Sequence, residues 1–472
     1  MKKVSFGILF ATICLFSLHS YAQVSDTYVQ RALEQKMENN QLQSGDANWV
    51  ITDVSTSAIS GVKHIYYKQT INGIQVKGTE SGVHIGADGN VLTQNNKFIN
   101  NANDRIASGS NASLSAVQAV QSAANKLGYS ITEALSVIDA DRDGNSKTII
   151  SKGGISLSEI PAELVYQQNE SGELVLTWDL SIQEISGKNW WSVRIDANSG
   201  AIVDQNNWVV SCNLEHNHAH HEHNEDVLNY NTNLYDIPNY AEMAAGGDLY
   251  EVFAIPAESP YYAPRTIVNN PADATASPFG WHDTNGVAGA EFTITRGNNV
   301  RAYEDGDNPG FSPDGGAGLN FTGYPFDQNY TNANQYESAA ITNLFYWNNI
   351  IHDVLFHYGF DEESGNFQEM NYSGLGAGSD SVNAEAQDGS GTCNANFGTP
   401  PDGSNPLMQM YVCGNKDGDF DNLVIIHEYG HGVSNRLTGG PSQSGCLGGQ
   451  EQMGEGWSDY LGVVMTIEPG DM

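Results

Sequence analysis

The chain has 472 residues, 39% of them hydrophobic and 22 of them Tyr, which is too long for one ordinary domain and too apolar for wholesale disorder. Its 20 Lys and Arg against 56 Asp and Glu leave a formal net charge of −36. That balance argues against nucleic acid or anionic lipid as partners, because both require basic side chains to neutralise phosphates.

Lys2 and Lys3 precede an apolar stretch from Val4 to Leu18, and Ser20-Tyr21-Ala22 follows with small residues at the positions a leader peptidase reads. Residues 1–22 therefore read as a secretory signal, which implies an extracellular product. The stretch is short for a membrane span, and no later apolar run reaches spanning length. Beyond the signal remain Cys212, Cys393, Cys413 and Cys446. An even count in an exported chain suggests disulfides, and four cysteines leave three pairings open.

Residues 24–45 are polar and Gln-rich and suit one helix. From Trp49 to Phe98 apolar and polar residues alternate, punctuated by Asn72-Gly73 and Asp88-Gly89, which signal β-hairpins. An Asn-, Ser- and Gly-rich break runs from Asn100 to Ser113. Ser113 to Lys126 then reads as a Ser-capped helix, followed by strands in AELVYQQ, ELVLTWDLSIQEI and NWWSVRIDANSGAIV. The pattern predicts two related small α+β modules, at 24–105 and 113–210.

Residues 211–247 read as a linker. Its tract LEHNHAHHEHNED holds His216, His218, His220, His221 and His223, which suits an exposed, cleavable connector better than a metal site. A third domain follows over 248–472. Within it, Ala340, Leu344, Trp347, Ile351 and Leu355 recur at spacings of three and four, predicting a helix from Glu337 to Phe356. His352 and Asp353 on that helix read as a polar pair bonded in a packed interior.

The chemistry is concentrated in NLVIIHEYGHGVSNRLTGG, residues 422–440. On a helix, His427 and His431 lie about 40° apart around the axis and roughly 6 Å apart along it. Two imidazoles then reach one tetrahedral metal from a single face. Glu428 is turned by about 100° from His427, which suits a base beside the metal's water rather than a ligand. Asp419 or Asp421 can cap the helix start, and Gly439-Gly440 end it. Gly430 and Gly432 each weaken a helix by roughly 1 kcal/mol relative to Ala, so they are expected to permit a close neighbour. Downstream, EQMGEGWSDYLGVVM (451–465) has helical periodicity with Glu455 and Asp459 on one face. Glu455 can complete a two-His, one-Glu site with an open fourth position, and Asp459 can fix the tautomer of a ligand histidine.

The stretches AAITNLFYWNNIIHD, AEAQDGSGTCNANFGTPPDG, HEYGHGVSNRLTGG and GEGWSD together resemble the fungalysin family of secreted zinc endopeptidases, relatives of thermolysin. Trp49 to Phe98 similarly resembles the propeptide shared by fungalysins and thermolysins, and the module ending near Val210 resembles its companion. The resemblance implies an α+β zymogen: two propeptide modules, which chaperone and cover the site, followed by a thermolysin-like zincin domain. It implies Zn2+ on His427, His431 and Glu455, Glu428 as catalytic acid–base and Asp459 behind a ligand. It further implies peptide substrates paired along the edge strand at Asn394, Ala395 and Asn396. Thermolysin relatives also bind Ca2+, and NKDGDFDN (415–422) is acid-rich, but its spacing does not fit an EF-hand loop. Solvated acids or a helix cap are expected there instead.

One departure stands out. Members of the family continue through a mostly helical lobe that supplies an oxyanion-stabilising histidine, whereas no His follows His431 here. Loss of such a donor typically costs about 10²–10³ in rate. The expectation is a catalytic domain incomplete at its C-terminus and a 472-residue product that is poorly active or poorly folded. The competing readings are an inactive pseudo-protease and a non-catalytic surface or adhesion protein.

Overall fold

A computed structural model describes residues 25–107, 109–140, 147–211, 247–306, 310–326, 332–447 and 453–468. The expected signal, Cys212 and the His-rich tract lie outside these residues. The chain forms two compact units, one of residues 1–208 with 436–448 and one of 209–435 with 449–472.

In the first unit, helix α1 (residues 25–38) buries Val29, Ala32 and Leu33 against a sheet of β1 (Trp49–Thr56), β2 (Lys63–Ile71), β3 (Ile74–Gln75), β4 (Ser81–Ile85) and β5 (Val91–Asn95). The sheet order is β1-β2-β4-β5, with β3 on β2. Ile65, Tyr67, Val83 and Ile85 alternate along β2 and β4 to meet the helix. The hairpin expected at Asn72-Gly73 forms, with φ of 53° and 81° at the two residues, the left-handed pair that such a tight turn needs.

Helix α2 (Ala116–Leu127) repeats this arrangement on a six-stranded antiparallel sheet. Its strands are β6 (Val137–Ala140), β7 (Thr148–Ile150), β8 (Ile160–Gln168), β9 (Leu174–Gln183), β10 (Trp190–Asp196) and β11 (Ile202–Asn207). The helix starts later than Ser113 because Ser115 caps it: Ser115 and Gln118 exchange side-chain and backbone bonds in a capping box. The ion pair of Lys77 with Asp179, at 2.8 Å, and the bond from Lys77 N–H to the Tyr166 carbonyl tie the two sheets together.

The second unit is built around α3, which spans Glu337–Phe356 as its periodicity predicts. It is buried nearly all round, and its polar residues are therefore bonded. Asp353 accepts from Trp281 Nε1, Ser277 Oγ and the Asp273 N–H, and it lies 2.9 Å from His352 Nδ1. His352 and Asp353 are thus a satisfied interior pair.

Five strands lie beside α3: β12 (Val209–Ser211), β15 (Val300–Glu304), β17 (Val382–Ala386), β18 (Ala395–Gly398) and β19 (Leu407–Met410), in the order β12-β18-β19-β17-β15. A small sheet joins β13 (Leu249–Val252), β14 (Thr266–Asn269) and β16 (Asn320–Phe321), and β20 (Val412–Cys413) pairs with β21 (Lys416–Asp417). A disulfide between Cys393 and Cys413 closes the β18–β19 hairpin, while Cys446 is unbridged among the described residues. Two more helices, α4 (Asn422–Gly439) and α5 (Gly454–Thr466), carry the acidic and imidazole side chains that the sequence singles out.

Candidate metal centre

Helix α4 begins where Asp421 accepts the Val424 N–H at 3.4 Å, which satisfies one of the amides a helix start leaves open. Asp419 does not share this task. It is fully buried, and its carboxylate takes the Gln387 N–H at 3.0 Å.

From α4, His427 and His431 project side by side, with ring centroids 4.8 Å apart. Glu455 comes to them from α5: its Oε2 lies 3.2 Å from His427 Nε2 and 3.7 Å from His431 Nε2. One donor atom from each of the three residues lies within 4.8 Å of the other two. Asp459, one turn beyond Glu455, holds His427 Nδ1 at 2.8 Å. With Nδ1 engaged, the lone pair of Nε2 faces Glu455 and His431. Ser458 Oγ stands 3.4 Å from His431 Nδ1, so each imidazole has a partner on α5 behind it. Ser458, three residues after Glu455 in GEGWSD, shares its helical face, a spacing visible in the sequence.

Two imidazoles and a carboxylate converging in this way suit a tetrahedral, zinc-type site with a fourth corner for solvent or substrate. The electrostatics of the two imidazoles differ. Burial pushes His431 down to about 4, which keeps it a neutral donor. Burial also acts to lower His427, but the hydrogen bond to Glu455 and the charges of Glu428 and Asp459 outweigh it and raise the net value. Glu428 sits on the same helix with its side chain fully buried, while the Glu455 side chain is 47% exposed, so the cluster opens to solvent on the α5 side.

The two glycines of α4 mark close approaches. A β-carbon on Gly430 would lie 2.8 Å from Ser458 Oγ and 3.0 Å from Ser458 Cα, so the absence of a side chain lets α4 and α5 meet. At Gly432 the neighbours are aromatic: a β-carbon would lie 2.6 Å from the Phe397 ring and 2.8 Å from Phe367. Phe397 belongs to β18, so this glycine sets the helix directly against that strand.

β18 holds Ala395 and Asn396, with Asn394 just before it. It pairs with β19 on one side and, on the other, antiparallel with β12, so that Val209, Val210 and Ser211 face Gly398, Phe397 and Asn396. The strand expected to receive a peptide backbone thus already pairs with the chain's own residues 209–211. Behind it lies a buried polar network. Asn396 Nδ2 donates to Gln409 Oε1 at 3.1 Å and to the Tyr411 hydroxyl. Gln409 Nε2 in turn donates to Glu385 Oε2 at 2.8 Å and to Asp388 Oδ2 at 2.9 Å. Burial and the charges of Asp388, Glu385 and Glu428 push the Tyr411 phenol up to about 12.

The acids of NKDGDFDN are not solvated, contrary to one of the two roles expected of them. Asp417 and Asp419 are buried, with Asp417 accepting the Asp419 N–H and Gln387 Nε2. Among the described residues a second acidic group gathers at Asp305, Glu385 and Asp388. The Glu385 and Asp388 oxygens there accept from Tyr303, Gln409 and Ser390.

Comparison with known proteins covers both halves of the chain. Residues 249–472 match the fungalysin metallopeptidases (M36), and residues 47–98 match the fungalysin/thermolysin propeptide motif. An extracellular metalloproteinase of Leptosphaeria maculans is 35% identical over 90% of this chain and 62% of its own length. One from Pyrenophora tritici-repentis is 35% identical over 94% and 64%, and one from Aspergillus fumigatus is 32% identical over 97% and 69%. The chain spans about three-fifths of the length of the first curated relatives it matches.

Proposed function

The chain belongs to the fungalysin metallopeptidases, and we propose that it is the secreted zymogen of a zinc endopeptidase whose site is His427, His431 and Glu455 with Glu428 as general base. The observation that carries this reading is the convergence of two imidazole nitrogens and one carboxylate, each imidazole backed by a side chain of α5. The extracellular relatives and the leader-like residues 1–22 support secretion. Among the described residues, no helix is long and apolar enough to cross a membrane.

Zinc held by these three side chains would supply Lewis acidity, lowering the pKa of a water towards about 7 and polarising a peptide carbonyl. The chain's own residues do the rest. Glu428 takes the proton of the attacking water and returns it to the leaving nitrogen. Asp459 keeps His427 in the tautomer that offers Nε2. β18 holds an extended substrate by backbone pairing along Asn394, Ala395 and Asn396. The two N-terminal α+β modules are the propeptide, and residues 209–211 block β18 in a substrate-like way until the linker is cut.

Glu428→Gln is the decisive test. It should leave one zinc per chain bound and abolish cleavage of a denatured protein, with wild-type cleavage stopped by a chelator. A non-catalytic surface protein would bind no zinc at this site, and a pseudo-protease would bind it in both forms with no turnover in either. Hydrolysis by the Gln variant at the wild-type rate would refute the assignment.

A further inference from the structure

His64 on β2 and His84 on β4 face each other in antiparallel register, with their Nδ1 atoms 2.8 Å apart. Two imidazole nitrogens approach this closely only when one carries the proton and the other offers its lone pair. Tyr66 completes the group: its ring stacks on His64 at 6.4 Å and meets His84 edge-on at 5.8 Å. All three side chains lie on the sheet face opposite Ile65 and Tyr67, away from α1.

The other groups on this face are few. β1 places Ser55 opposite His64 and Asp53 opposite Tyr66, and β5 places Thr93 opposite His84. Farther along β2, Lys68 pairs with Glu80 at 3.5 Å. A further neighbour is the segment after α4, which belongs to the same compact unit and whose Cys446 feels the charges of Glu80, Lys97, Lys68 and Lys77. Gly440 lies against Tyr66 so closely that a β-carbon would come within 2.7 Å of the ring. Ser442 donates to Asp53 Oδ2 from its N–H at 3.2 Å and its hydroxyl at 2.9 Å. Tyr66 is pushed up to about 12 by burial, by Asp53 and by the thiol of Cys446, which places Cys446 at the same patch. Asp53, the carboxylate opposite Tyr66, is thus engaged by Ser442.

We propose that His64 and His84 form an acid-sensitive latch under the segment 440–446. A second proton puts N–H on both Nδ1 atoms, abolishes their shared hydrogen bond and sets two cations on adjacent strands. The β2–β4 pairing then loosens beneath Tyr66, and the grip on Gly440 and Ser442 weakens with it. Burial holds both imidazoles below their ordinary value, and the charge of His64 lowers His84 further. The unfolded chain therefore takes up protons first. The contribution to stability is complete above about pH 6.5 and is lost as pH falls below it. In sequence this segment directly follows the helix that carries His427 and His431, so acidification would free the chain that leaves that helix. The inference goes beyond the zinc chemistry and does not depend on it.

Hydrogen–deuterium exchange on the full chain at about pH 7.5 and about pH 5.5, corrected for intrinsic rates, tests the latch. Peptides covering 63–67, 82–85 and 440–446 should lose about tenfold or more in protection at the lower pH, one pKa unit being a factor of ten. In His64→Gln/His84→Gln that loss should vanish, because paired amides keep a hydrogen bond and do not titrate. Equal protection of wild-type 440–446 at both pH values, or an equal loss in the double variant, overturns the proposal. If circular dichroism shows the double variant unfolded at the higher pH, an NMR titration of the wild-type histidine C2–H resonances decides. Two depressed, interdependent steps support the latch, and independent titration of both rings near the ordinary value overturns it.

Discussion

Ser211 and Asn396 face each other in antiparallel register, with Val210 opposite Phe397 and Val209 opposite Gly398. Backbone pairing of this kind needs an N–H at the right positions, and proline removes one while fixing φ. Val210→Pro should therefore free β18: exchange protection over 395–398 falls, and any cleavage by the full chain rises. Unchanged protection would mean that β12 contributes little to covering the strand.

Asp459 holds His427 through Nδ1 at 2.8 Å, yet its own side chain is 69% exposed. Removing it should cost zinc binding far more than folding. Asp459→Ala is expected to weaken zinc affinity by about 10–100-fold, read by competition against a fluorescent chelator. Its urea midpoint should stay close to wild type, since exposed pairs contribute about 1 kcal/mol at most.

Gly430 separates α4 from Ser458 by less than a side chain needs. Alanine is the better helix former by about 1 kcal/mol, so a purely local view has Gly430→Ala stabilising. The contact geometry reverses that sign, because overpacking costs typically about 1–3 kcal/mol and pushes α5 away. A lower denaturation midpoint with weaker zinc binding is expected, and Gly430→Leu should be worse. Higher stability of either variant would show that the helices can separate without loss.

The Cys393–Cys413 bridge closes a loop with a sequence separation of 20. By chain entropy alone such a closure stabilises by about 3 kcal/mol. Cys393→Ser/Cys413→Ser should lose stability on that scale in chemical denaturation, with the exchange increase centred on β18 and β19. Loss spread evenly over the second unit would point to a wider role.

Glu385 is pushed up to about 8, first by burial and then by Asp388. A carboxyl raised in the folded state contributes stability that is whole below its ordinary value, near about 4.5, and is lost as pH climbs through the raised one. The melting temperature should therefore decline between about pH 5 and pH 8, and Glu385→Gln should flatten that decline. A variant with the wild-type slope would assign the effect to other groups.

Where the chemistry is local, the amino-acid order was a sufficient guide. The period of three and four residues from Ala340 to Leu355 marks α3 to its ends, because a helix buried all round still has to satisfy His352 and Asp353 from within. His427, His431, Glu455 and Asp459 were legible because helical spacing alone brings each pair to one face, and the structure brings the two faces together. The contacts without such a signal are those between distant segments. Nothing in Val209-Val210-Ser211 announces a partner nearly two hundred residues away, since backbone pairing leaves no mark on side-chain identity. The facing of His64 and His84 depends on strand register, and the choice of Cys413 for Cys393 depends on a hairpin. Asp417 and Asp419 mislead for a related reason: an acid-rich run reads as solvated until the backbone amides and the Gln387 side chain that bind it are known.

At Gly432 the spacing between α4 and β18 is fixed by a missing atom, since aromatic rings already fill the place where a methyl group would go. Such a gap cannot be narrowed further, and widening it tilts helix and strand apart together. The contact between α4 and β18 is therefore the fixed element here, and adjustment of its surroundings has to come from other segments.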